Sequence, residues 1–375
     1  MNTLVLSGIN LFEGGPLSIY IDCLDYLINQ KYYTQYNIIA FVHKKELFKR
    51  YAPYVQLMDL PNSREHYINR LYYEYIYFYL FSKNKEIDIW ISLHDITPNV
   101  KAKKLYTYFH NPTPFMENPD SIKKNSKNIY YMAKYYKYIY KINIKKNTGI
   151  IVQQAWLRKK ISEMFDISNI IVALPESDNS NKVYENINKV NDNSFIYAAY
   201  PRAFKNFEVI CEAVVILEKM SIGFTVILTI NGTENKYSKW LYQKYKHLKS
   251  IKWIGLQNRD RLFEIYTESD CMIFPSKLET WGLPITEYKK TNKPLLLADL
   301  PYAHETVGTY DKVCFFNSED AGKLAELMKK FIFGTLTYDK SEKVNIEAPY
   351  AKNWSELFDL IGVKSECAPV KSQLQ

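Results

Sequence analysis

The sequence predicts an α/β protein with two parallel-sheet domains. Its 375 residues correspond to two domains of ordinary size. Short apolar runs alternate with segments of helical period along the chain, which is typical of parallel strands that helices cover on both faces. A polar, Asn-rich stretch at 177–193 lacks apolar periodicity and divides this alternation into two similar halves. We therefore expect a linker there, with one domain on each side.

The strand candidates are short runs of branched and aromatic residues. They are 3–7, 37–42, 87–93, 105–109 and 149–152 in the first half, and 195–199, 224–230, 251–254, 271–274, 294–298 and 313–316 in the second. Between them, apolar residues recur at helical spacing, as at Leu17, Tyr20, Leu24 and Leu27. Because such sheets bind ligands beyond the carboxyl ends of their strands, residues that follow a strand are the first candidates for a site.

The composition argues against sequence-specific DNA binding. Lys and Arg together number 49 against 40 Asp and Glu, a net charge of +9, yet only seven of the 49 are Arg. Arginine provides the planar fork that reads guanine edges and grips buried phosphates. A basic chain with so little of it is poorly suited to that task.

The cysteines and the amino-terminal residues suggest a soluble cytoplasmic protein. The five cysteines are far apart, with no C-x-x-C pair, so neither a disulfide framework nor a zinc site is supported. Residues 1–8 lack a cationic start and match a buried strand better than a signal peptide. The apolar runs are all much shorter than the ~20 residues that cross a bilayer.

The strongest motif spans 274–287, where a buried strand ends, a loop carries Glu279, and a helix begins near Pro284. Free backbone N–H groups around 281–283 predict an anion site at that helix start. Glu287 follows Glu279 by eight residues, roughly 12 Å in a helix. Two carboxylates on either side of an anion site match a nucleotide-sugar. The alternative is that the helix dipole stabilises Glu287 in the first turn of the helix and that Glu279 is merely exposed.

Two further strand ends in this pattern carry groups suited to phosphate. Arg202 and Lys205 follow the first strand of the second half and open a helix, which places two cations where a diphosphate would lie. Gly14 and Gly15 follow the first strand of the chain, and their lack of a side chain allows a ligand to approach the backbone. The alternatives are two solvated cations at a helix start for Arg202 and Lys205, and a plain tight turn for Gly14 and Gly15.

Histidines end two strands of the first half. His110 follows the strand at 105–109, and a neutral imidazole at that position can hydrogen-bond a sugar hydroxyl or orient an acceptor. His94 and Asp95 end the preceding strand in the same way, and we expect them to line the acceptor side. A lone histidine is otherwise more often structural.

The basic excess is concentrated in residues 121–147, which contain eight lysines, six tyrosines and no acidic residue. Lysine and tyrosine together suit an anionic membrane surface. Stacking on single-stranded nucleic acid and a plain solvated helix face are the alternatives, and we expect no nucleic-acid partner. The candidates for membrane contact are Lys123, Lys124, Lys127, Lys134, Lys137 and Lys141.

The segment 274–287 resembles the E-x7-E motif of retaining glycosyltransferases of family 4, and the likeness extends from the first strand to about residue 316. The resemblance implies the GT-B fold, in which two Rossmann-like domains enclose an interdomain cleft. It implies domains at 1–176 and 194–340, the linker at 177–193, a helix at 341–364 that returns to the first domain, and a tail at 365–375.

The resemblance also implies roles for the candidates, with Glu279 facing the donor sugar and Glu287 binding the ribose hydroxyls. Arg202 and Lys205 would neutralise the leaving diphosphate, although their spacing is shorter than the common family form. The remaining assignments are the amides of Thr280, Trp281, Gly282 and Leu283 to the diphosphate, Gly14 and Gly15 to the donor phosphates, and His110 to the donor sugar.

The implied reaction is retaining, nucleotide-sugar-dependent transfer of a hexose to a hydroxyl of a glycan acceptor. No cofactor or metal is expected, and the leaving phosphate would assist deprotonation of the acceptor. The order of the motifs is most similar to enzymes of bacterial O-antigen and other surface-polysaccharide synthesis, which implies a lipid-diphosphate-linked acceptor and a peripheral place on the inner membrane face. A nucleotide-sugar 2-epimerase and a non-catalytic membrane or nucleic-acid binding protein on the same scaffold are the alternatives.

Overall fold

The computed structural model describes residues 1–12, 14–116, 118–123, 126–175 and 193–363. These residues form two compact units. Unit 1 comprises Met1–Pro114, Tyr135–Glu176 and Ile346–Gln375, and unit 2 comprises Phe115–Lys134 and Ser177–Asn345. The expected linker lies outside the described residues except for Asn193, and the expected tail lies wholly outside them.

The described strands and helices alternate along the chain. The strands are β1 Asn2–Gly8, β2 Tyr36–Val42, β3 Gln56–Asp59, β4 Ile89–Ser92, β5 Lys104–Tyr108, β6 Gly149–Val152, β7 Ile170–Ala173, β8 Ser194–Tyr197, β9 Thr225–Leu228, β10 Ile251–Trp253, β11 Cys271–Phe274, β12 Leu295–Ala298, β13 Val313–Phe316 and β14 Tyr350–Ala351. The helices are α1 Gly14–Asn29, α2 Tyr67–Tyr72, α3 Phe78–Ser82, α4 Lys127–Lys141, α5 Ala155–Phe165, α6 Phe207–Glu218, α7 Lys236–Tyr245, α8 Arg259–Glu268, α9 Leu283–Lys289, α10 Pro301–Val307, α11 Ala321–Ile332 and α12 Trp354–Ile361.

The sheet of unit 1 has the strand order β14-β7-β6-β5-β4-β1-β2-β3, and the pairings between its neighbouring strands are parallel. Leu4 of β1 lies between Ile38 of β2 and Ile89 of β4. The chain moves outward from β1 to β2 and β3 on one side, and later from β4 onward on the other. The topological switch point, where such sheets bind ligands, is therefore between β1 and β4.

The sheet of unit 2 has the strand order β10-β9-β8-β11-β12-β13 and is also parallel. Met272 of β11 pairs with Ile196 of β8. Since β9 and β10 extend to one side of β8 while β11 to β13 extend to the other, the switch point of this unit is between β8 and β11. The prediction of two parallel-sheet α/β domains is confirmed.

Both faces of the first sheet are covered, as its continuous apolar strands predict. Successive residues of β1 point to opposite faces, so Leu4 and Leu6 join one buried cluster while Val5 joins another. The first cluster includes Leu24 of α1, and the second includes Phe78 of α3. Two hydrophobic layers therefore hold the sheet between helices.

The end of the described chain belongs to unit 1. Tyr350 and Ala351 of β14 pair with Val172 and Ala173 of β7 at the edge of the sheet. The next helix, α12, places Phe358 among the buried residues of the first cluster. Unit 1 is thus assembled from three separate stretches of sequence.

One stretch differs from the expected boundaries. The sequence analysis placed residues 1–176 in a single domain, whereas Phe115–Lys134 clusters with unit 2. Helix α4 therefore begins in unit 2 and ends in unit 1. Across the part of the chain that the structure describes, the helices are all too short or too polar to span a bilayer.

Candidate functional site

Lys205 and Glu279 form an ion pair at the switch point of unit 2. Lys205 ends a short 3-10 turn that follows β8, and Glu279 lies in the loop that follows β11. Only 17% of the Lys205 side chain and 12% of the Glu279 side chain is exposed. Because β8 and β11 are adjacent parallel strands, their carboxyl ends bring these opposite charges together.

Buried hydrogen bonds fix the two loops that carry this pair. Asn206 adopts a left-handed conformation with φ of 58°, and its side-chain amide donates to the carbonyls of Pro275 at 3.2 Å and Ser318 at 2.7 Å. The Tyr197 hydroxyl donates to the Lys205 carbonyl at 2.7 Å. Sequence reasoning did not single out Asn206 or Tyr197, because their partners are distant in sequence.

Arg202 lies on the exposed side of the same turn. Its guanidinium is 5.9 Å from the ring centroid of Tyr200 and 6.0 Å from that of Phe204. Within the described residues, Arg202 makes no ion pair that would occupy its charge. Such a guanidinium, held by aromatic contacts and open to solvent, can form a bidentate contact with a phosphate.

Helix α9 begins where the motif predicts, one residue after Gly282. Gly282 has a φ of 84°, and a Cβ there would come within 3.1 Å of the Ile285 side chain, so the turn requires glycine. The Trp281 indole donates to the Thr286 hydroxyl at 2.9 Å and packs the loop onto the helix. The proposed phosphate contacts of the amides of Thr280 to Leu283 stay a prediction.

Glu287 is half-buried near the end of α9, with its carboxylate 4.0 Å from the guanidinium of Arg259. Burial raises the pKa of the Glu287 carboxyl, and the positive charge of Arg259 opposes that rise. Arg259 was missed from the sequence, because it lies at the start of α8 with no local link to the motif.

A separate cavity of about 210 Å³ lies in unit 2. Its lining includes Glu208, Glu212 and Glu319, and one cation, Lys277, which pairs with Glu319 at 2.6 Å. Three carboxylates against one lysine do not suit a diphosphate. Among the described residues, no group of three or more His, Cys, Asp or Glu side chains is placed to hold a metal ion, and we assign no metal ligand.

In unit 1, His110 follows β5 and is buried, with its ring stacked on that of Tyr108 at 4.5 Å. Burial lowers the pKa of His110 to about 3, and a hydrogen bond to the backbone of Leu93 offsets this only in part. Nε2 is buried without a hydrogen-bond partner in the described structure. The ring is therefore neutral at physiological pH, and its Nε2 is available to a hydrogen-bond partner from a ligand.

Asp95 holds the turn that carries His110. Its carboxylate accepts the backbone N–H groups of His110 at 2.6 Å and Asn111 at 2.8 Å. Asp95 has a φ of 74°, a strained backbone conformation that these two bonds support. Burial raises the pKa of Asp95, and the two N–H groups oppose that rise. Its contact with an acceptor stays a prediction, while its hold on the turn is direct.

His94 is fully enclosed in unit 1, at the switch point between β1 and β4. Nε2 lies 2.9 Å from the Ser7 hydroxyl, and Nδ1 lies 3.1 Å from the Glu74 carboxylate. Burial lowers the pKa of His94 well below its ordinary value, with the Arg70 charge adding to the effect. An enclosed ring favours a positioning role over direct contact with an acceptor.

Arg70 and Glu74 complete this cluster and were missed from the sequence. Arg70 donates to the carbonyl of His94 at 2.6 Å. Burial raises the pKa of Glu74 to about 8, and the nearby Arg70 charge opposes that rise. In the sequence, Glu74 only interrupts an apolar run, so nothing local indicates its inward direction.

Gly14 and Gly15 are the two residues that the sequence predicts to let a ligand approach the backbone. Gly14 begins α1 directly after β1, with a φ of 68° and open space around its missing Cβ, and Gly15 is half-buried beside it. Donor contacts by either glycine stay predictions. Glu13, which precedes them, lies outside the described residues.

The lysine candidates for membrane contact lie on or next to α4. Lys124 is outside the described residues. Lys123, Lys127, Lys134 and Lys141 are exposed, and Lys137 is half-exposed with its ammonium 5.3 Å from the Tyr138 ring centroid. Their contact with a membrane stays a prediction.

Comparison with known proteins links unit 2 to one family. Residues 178–348, somewhat under half of the chain, match the model of the family described as Glycosyl transferases group 1. This range contains Arg202, Lys205, Glu279 and Glu287. No match to a curated protein was found.

Several solved structures share the fold over nearly the whole chain. They include sucrose-phosphate synthase from Thermosynechococcus elongatus (12% identity, 89% of this chain and 90% of that chain, TM-score 0.67). Anabaena HepE in complex with UDP-glucose is similar at 13% identity, 89% and 90% coverage and a TM-score of 0.60. The lipopolysaccharide outer core galactosyltransferase WaaB is similar at 12% identity, 90% and 92% coverage and a TM-score of 0.59.

At these identities the structural likeness establishes the fold alone. It confirms the predicted GT-B architecture, since both the two parallel-sheet units and the near-complete coverage agree with it. The chain therefore has the GT-B fold, and its residues 178–348 carry the sequence pattern of the group 1 glycosyl transferases.

Proposed function

We propose that this protein is a retaining glycosyltransferase that moves a hexose from a nucleoside-diphosphate donor to a hydroxyl of a glycan acceptor. The observation that carries the proposal is the Lys205–Glu279 pair at the switch point of unit 2. It lies within the stretch that matches the group 1 family model. The nearby Arg202 provides a second cation with an unoccupied charge.

Charge on the departing diphosphate is the main energetic problem of such a transfer. Arg202 and Lys205 supply two positive charges in a partly dry site, where electrostatic stabilisation is stronger than in water. A diphosphate would compete with Glu279 for the Lys205 ammonium. Donor binding would then release the Glu279 carboxylate to face the sugar, which is the role the resemblance assigns to it.

His110 offers a hydrogen-bond partner to the transferred sugar. Buried polar atoms rarely lack a partner, and the unpaired Nε2 fits a sugar hydroxyl, which can donate or accept a hydrogen bond. The low pKa of His110 keeps the ring neutral at physiological pH. We therefore assign His110 to holding the donor sugar, with Asp95 positioning its turn.

In the reaction, the bond from the anomeric carbon to the diphosphate breaks, and the nucleoside diphosphate keeps the electron pair. The acceptor hydroxyl oxygen bonds to the same face of that carbon, and its proton passes to the leaving phosphate oxygen. Glu279 stabilises and positions the sugar and forms no covalent bond to it. The donor base is left to experiment, because it depends on loops that vary within the fold.

We further propose that the acceptor is a lipid-diphosphate-linked glycan of surface-polysaccharide synthesis. The chain would then work as a peripheral protein at the inner membrane face. The exposed lysines of α4 support this, since each basic residue near an anionic surface contributes about 1 kcal/mol.

A thermal-shift screen of uridine, guanosine and thymidine diphosphate sugars tests donor binding. We expect one base to raise the melting temperature of the wild-type chain, and Arg202→Ala or Glu287→Ala to remove that rise. Arg261→Ala is the matched control, because Arg261 is an exposed arginine of the same unit that pairs with Glu264 instead. A rise that persists in Arg202→Ala contradicts the assigned donor site.

An assay of donor consumption with and without a glycan acceptor tests the reaction. Consumption that requires the acceptor and yields an α- or β-linkage matching that of the donor supports retaining transfer. Conversion of the donor without any acceptor indicates a 2-epimerase, and donor binding without turnover indicates a non-catalytic scaffold. Either of those results overturns the proposal.

A further inference from the structure

The helical segment 67–82 of unit 1 has its charges inside and its apolar residues outside. It comprises α2, a π-helical turn at Tyr73–Tyr77, and α3. Both of its charged residues are buried, with Arg70 at 6% exposure and Glu74 at 0%. The side chains it exposes are Tyr67, Ile68, Tyr72, Ile76, Tyr79 and Leu80. These are all aliphatic or aromatic, the reverse of a normal surface helix.

The exposed residues form a continuous line. Ile68, Tyr72, Ile76 and Leu80 are spaced four residues apart, so they lie on one side of the helix over about 18 Å. Ile68 is 77% exposed and Ile76 is 51% exposed. A contiguous apolar surface of this kind on a water-facing helix marks a contact site for a membrane or another protein.

Helix α4 lies next to this segment and carries the complementary polar groups. The ring of Tyr136 in α4 is 5.7 Å from that of Tyr67. In the part of α4 that belongs to unit 1, Tyr135, Tyr138 and Lys141 are exposed and Lys137 is half-exposed. Residues 121–147 contain no acidic residue, so this neighbour presents only positive charge and tyrosine.

The charges decide between a bilayer and a second copy of the chain. An isologous dimer through this surface would bring the lysines of two α4 helices close together, and like charges oppose that contact. Anionic headgroups attract the same lysines, while tyrosines favour the boundary between headgroups and acyl chains. The surface therefore matches an anionic bilayer.

We propose that segment 67–82 inserts its apolar line into the interfacial region of an anionic bilayer, beside α4, which supplies the attracting lysines. The inference rests on the membrane association proposed above and adds the element that enters the lipid. Interfacial helices lie in the membrane plane with the apolar side about 5–10 Å deep. The inward Arg70 and Glu74 leave no charge on the inserting side of this helix.

Sedimentation of the full chain with vesicles tests this proposal. The vesicles contain phosphatidylglycerol and phosphatidylcholine in about equal parts, with pure phosphatidylcholine as the uncharged comparison. We expect the double variant Ile68→Ser/Ile76→Ser to bind the anionic vesicles at least about tenfold more weakly than wild type. The matched control is Leu47→Ser/Leu360→Ser, which removes two exposed leucines of the same unit, 45% and 48% exposed, and should bind normally.

A fluorophore on Ile76→Cys reports insertion directly, in a background where Cys367 is replaced by serine. The cysteines at 23, 211, 271 and 314 are buried. We expect a blue shift on addition of anionic vesicles for the label at 76 and none for a label on Leu360→Cys. An unshifted label at 76 on a chain that binds the vesicles overturns the role of segment 67–82.

The remaining outcomes separate the two proposals. If Lys137→Glu/Lys141→Glu abolishes vesicle binding while Ile68→Ser/Ile76→Ser does not, the membrane association stands and segment 67–82 is not its insertion element. If wild type binds no vesicles, both membrane statements fail, while transfer to a water-soluble acceptor still tests the reaction. Light scattering that shows a dimer, lost in Ile68→Ser/Ile76→Ser, identifies a second copy as the occupant and overturns the inference.

Discussion

Lys205 and Glu279 neutralise each other in a site where most of both side chains is shielded from water. Such a pair contributes little to stability, because desolvation of the two charges offsets most of their attraction. The pair can instead serve ligand binding, because the Lys205 ammonium can exchange Glu279 for a negatively charged ligand. Asn206 and Tyr197 keep the loops fixed while that exchange happens.

Removing either charge should affect transfer strongly, and it also leaves the other charge of the pair uncompensated in a largely buried site. We expect Lys205→Ala and Glu279→Gln each to lower kcat/KM by roughly 10²- to 10³-fold, because each removes a charge that acts on the transition state. Because an uncompensated buried charge is destabilising, their melting temperatures should fall by more than that of Lys252→Ala, an exposed lysine of the same unit that serves as the control, and kcat/KM is compared at a temperature where all variants are folded. Activity close to wild type in Lys205→Ala would place the diphosphate elsewhere.

His110 should make the stability of unit 1 depend on pH. Its pKa is about 3 in the folded chain and about 6.5 when unfolded, so the unfolded state binds the extra proton between these values. The free energy of unfolding should fall as the pH drops below 6.5, by up to ~1.4 kcal/mol per pH unit from this group. Above pH 6.5 the effect is absent.

Urea denaturation at pH 7 and pH 5 measures this effect in wild type and His110→Gln. The wild-type chain should lose more stability between the two pH values, since glutamine does not titrate. His66→Gln, which replaces an exposed histidine of the same unit, is the control variant. Equal losses in wild type and His110→Gln would contradict the buried, neutral state of His110.

The site residues that sequence could identify are those whose neighbours in the chain reveal them. Arg202, Lys205 and Glu279 follow strand ends and precede helices, and Glu287 lies in the helix after Glu279, a local pattern that a single sequence contains. Arg259 could not be found in this way, because its relation to Glu287 arises from the packing of α8 against α9. The same holds for Arg70 and Glu74, whose burial depends on His94.

At the scale of elements, the strands with strong local patterns were predicted except for β7, and the weak ones were not. The eleven predicted strands are confirmed to within a few residues. β3, with the sequence Gln-Leu-Met-Asp, is a polar edge strand, and β14 has only two residues. Neither offers enough apolar pattern for a prediction. β7 consists of Ile170, Ile171, Val172 and Ala173, an apolar run that indicates a strand although it was not among the predicted ones.

Helix α12 should be essential to the stability of unit 1. Phe358 is fully buried, and its ring stacks on that of Tyr26 at 5.5 Å and contacts that of Tyr32 at 5.9 Å. We expect Phe358→Ala to lower the free energy of unfolding by about 3–5 kcal/mol, from lost burial and the cavity left behind. Urea denaturation measures this loss.

Leu360 on the same helix is the matched control, because its side chain is 48% exposed and lies on the surface of α12. Leu360→Ala should change the stability by less than about 1 kcal/mol. A loss in Phe358→Ala no larger than that in Leu360→Ala would show that α12 is not docked on unit 1 in solution.

At the scale of the whole molecule, both units follow one plan. Each has a parallel sheet whose first strand is central, and each gathers its polar side chains at the switch point beside that strand. His94 and Ser7 lie there in unit 1, and Lys205 and Glu279 lie there in unit 2. This plan was predictable, because it follows from the alternation of apolar strands and helices. The place of Phe115–Lys134 in unit 2 was not, because it depends on contacts between distant residues.

The return of the chain to unit 1 affects how the protein is made on the ribosome. Residues 346–363, which supply β14 and α12, are synthesised only after all of unit 2. Until then the nascent chain has an unpaired edge at β7 and an uncovered apolar surface around Tyr26 and Tyr32. Both segments of unit 2 are synthesised before that point, so unit 2 can fold during that interval, whereas the first-made half must wait for the last-made helix. If translation stops before residue 346, unit 1 therefore keeps an exposed strand edge and an exposed apolar surface, although most of it is synthesised first. Unit 1, and not unit 2, would then bind chaperones or aggregate.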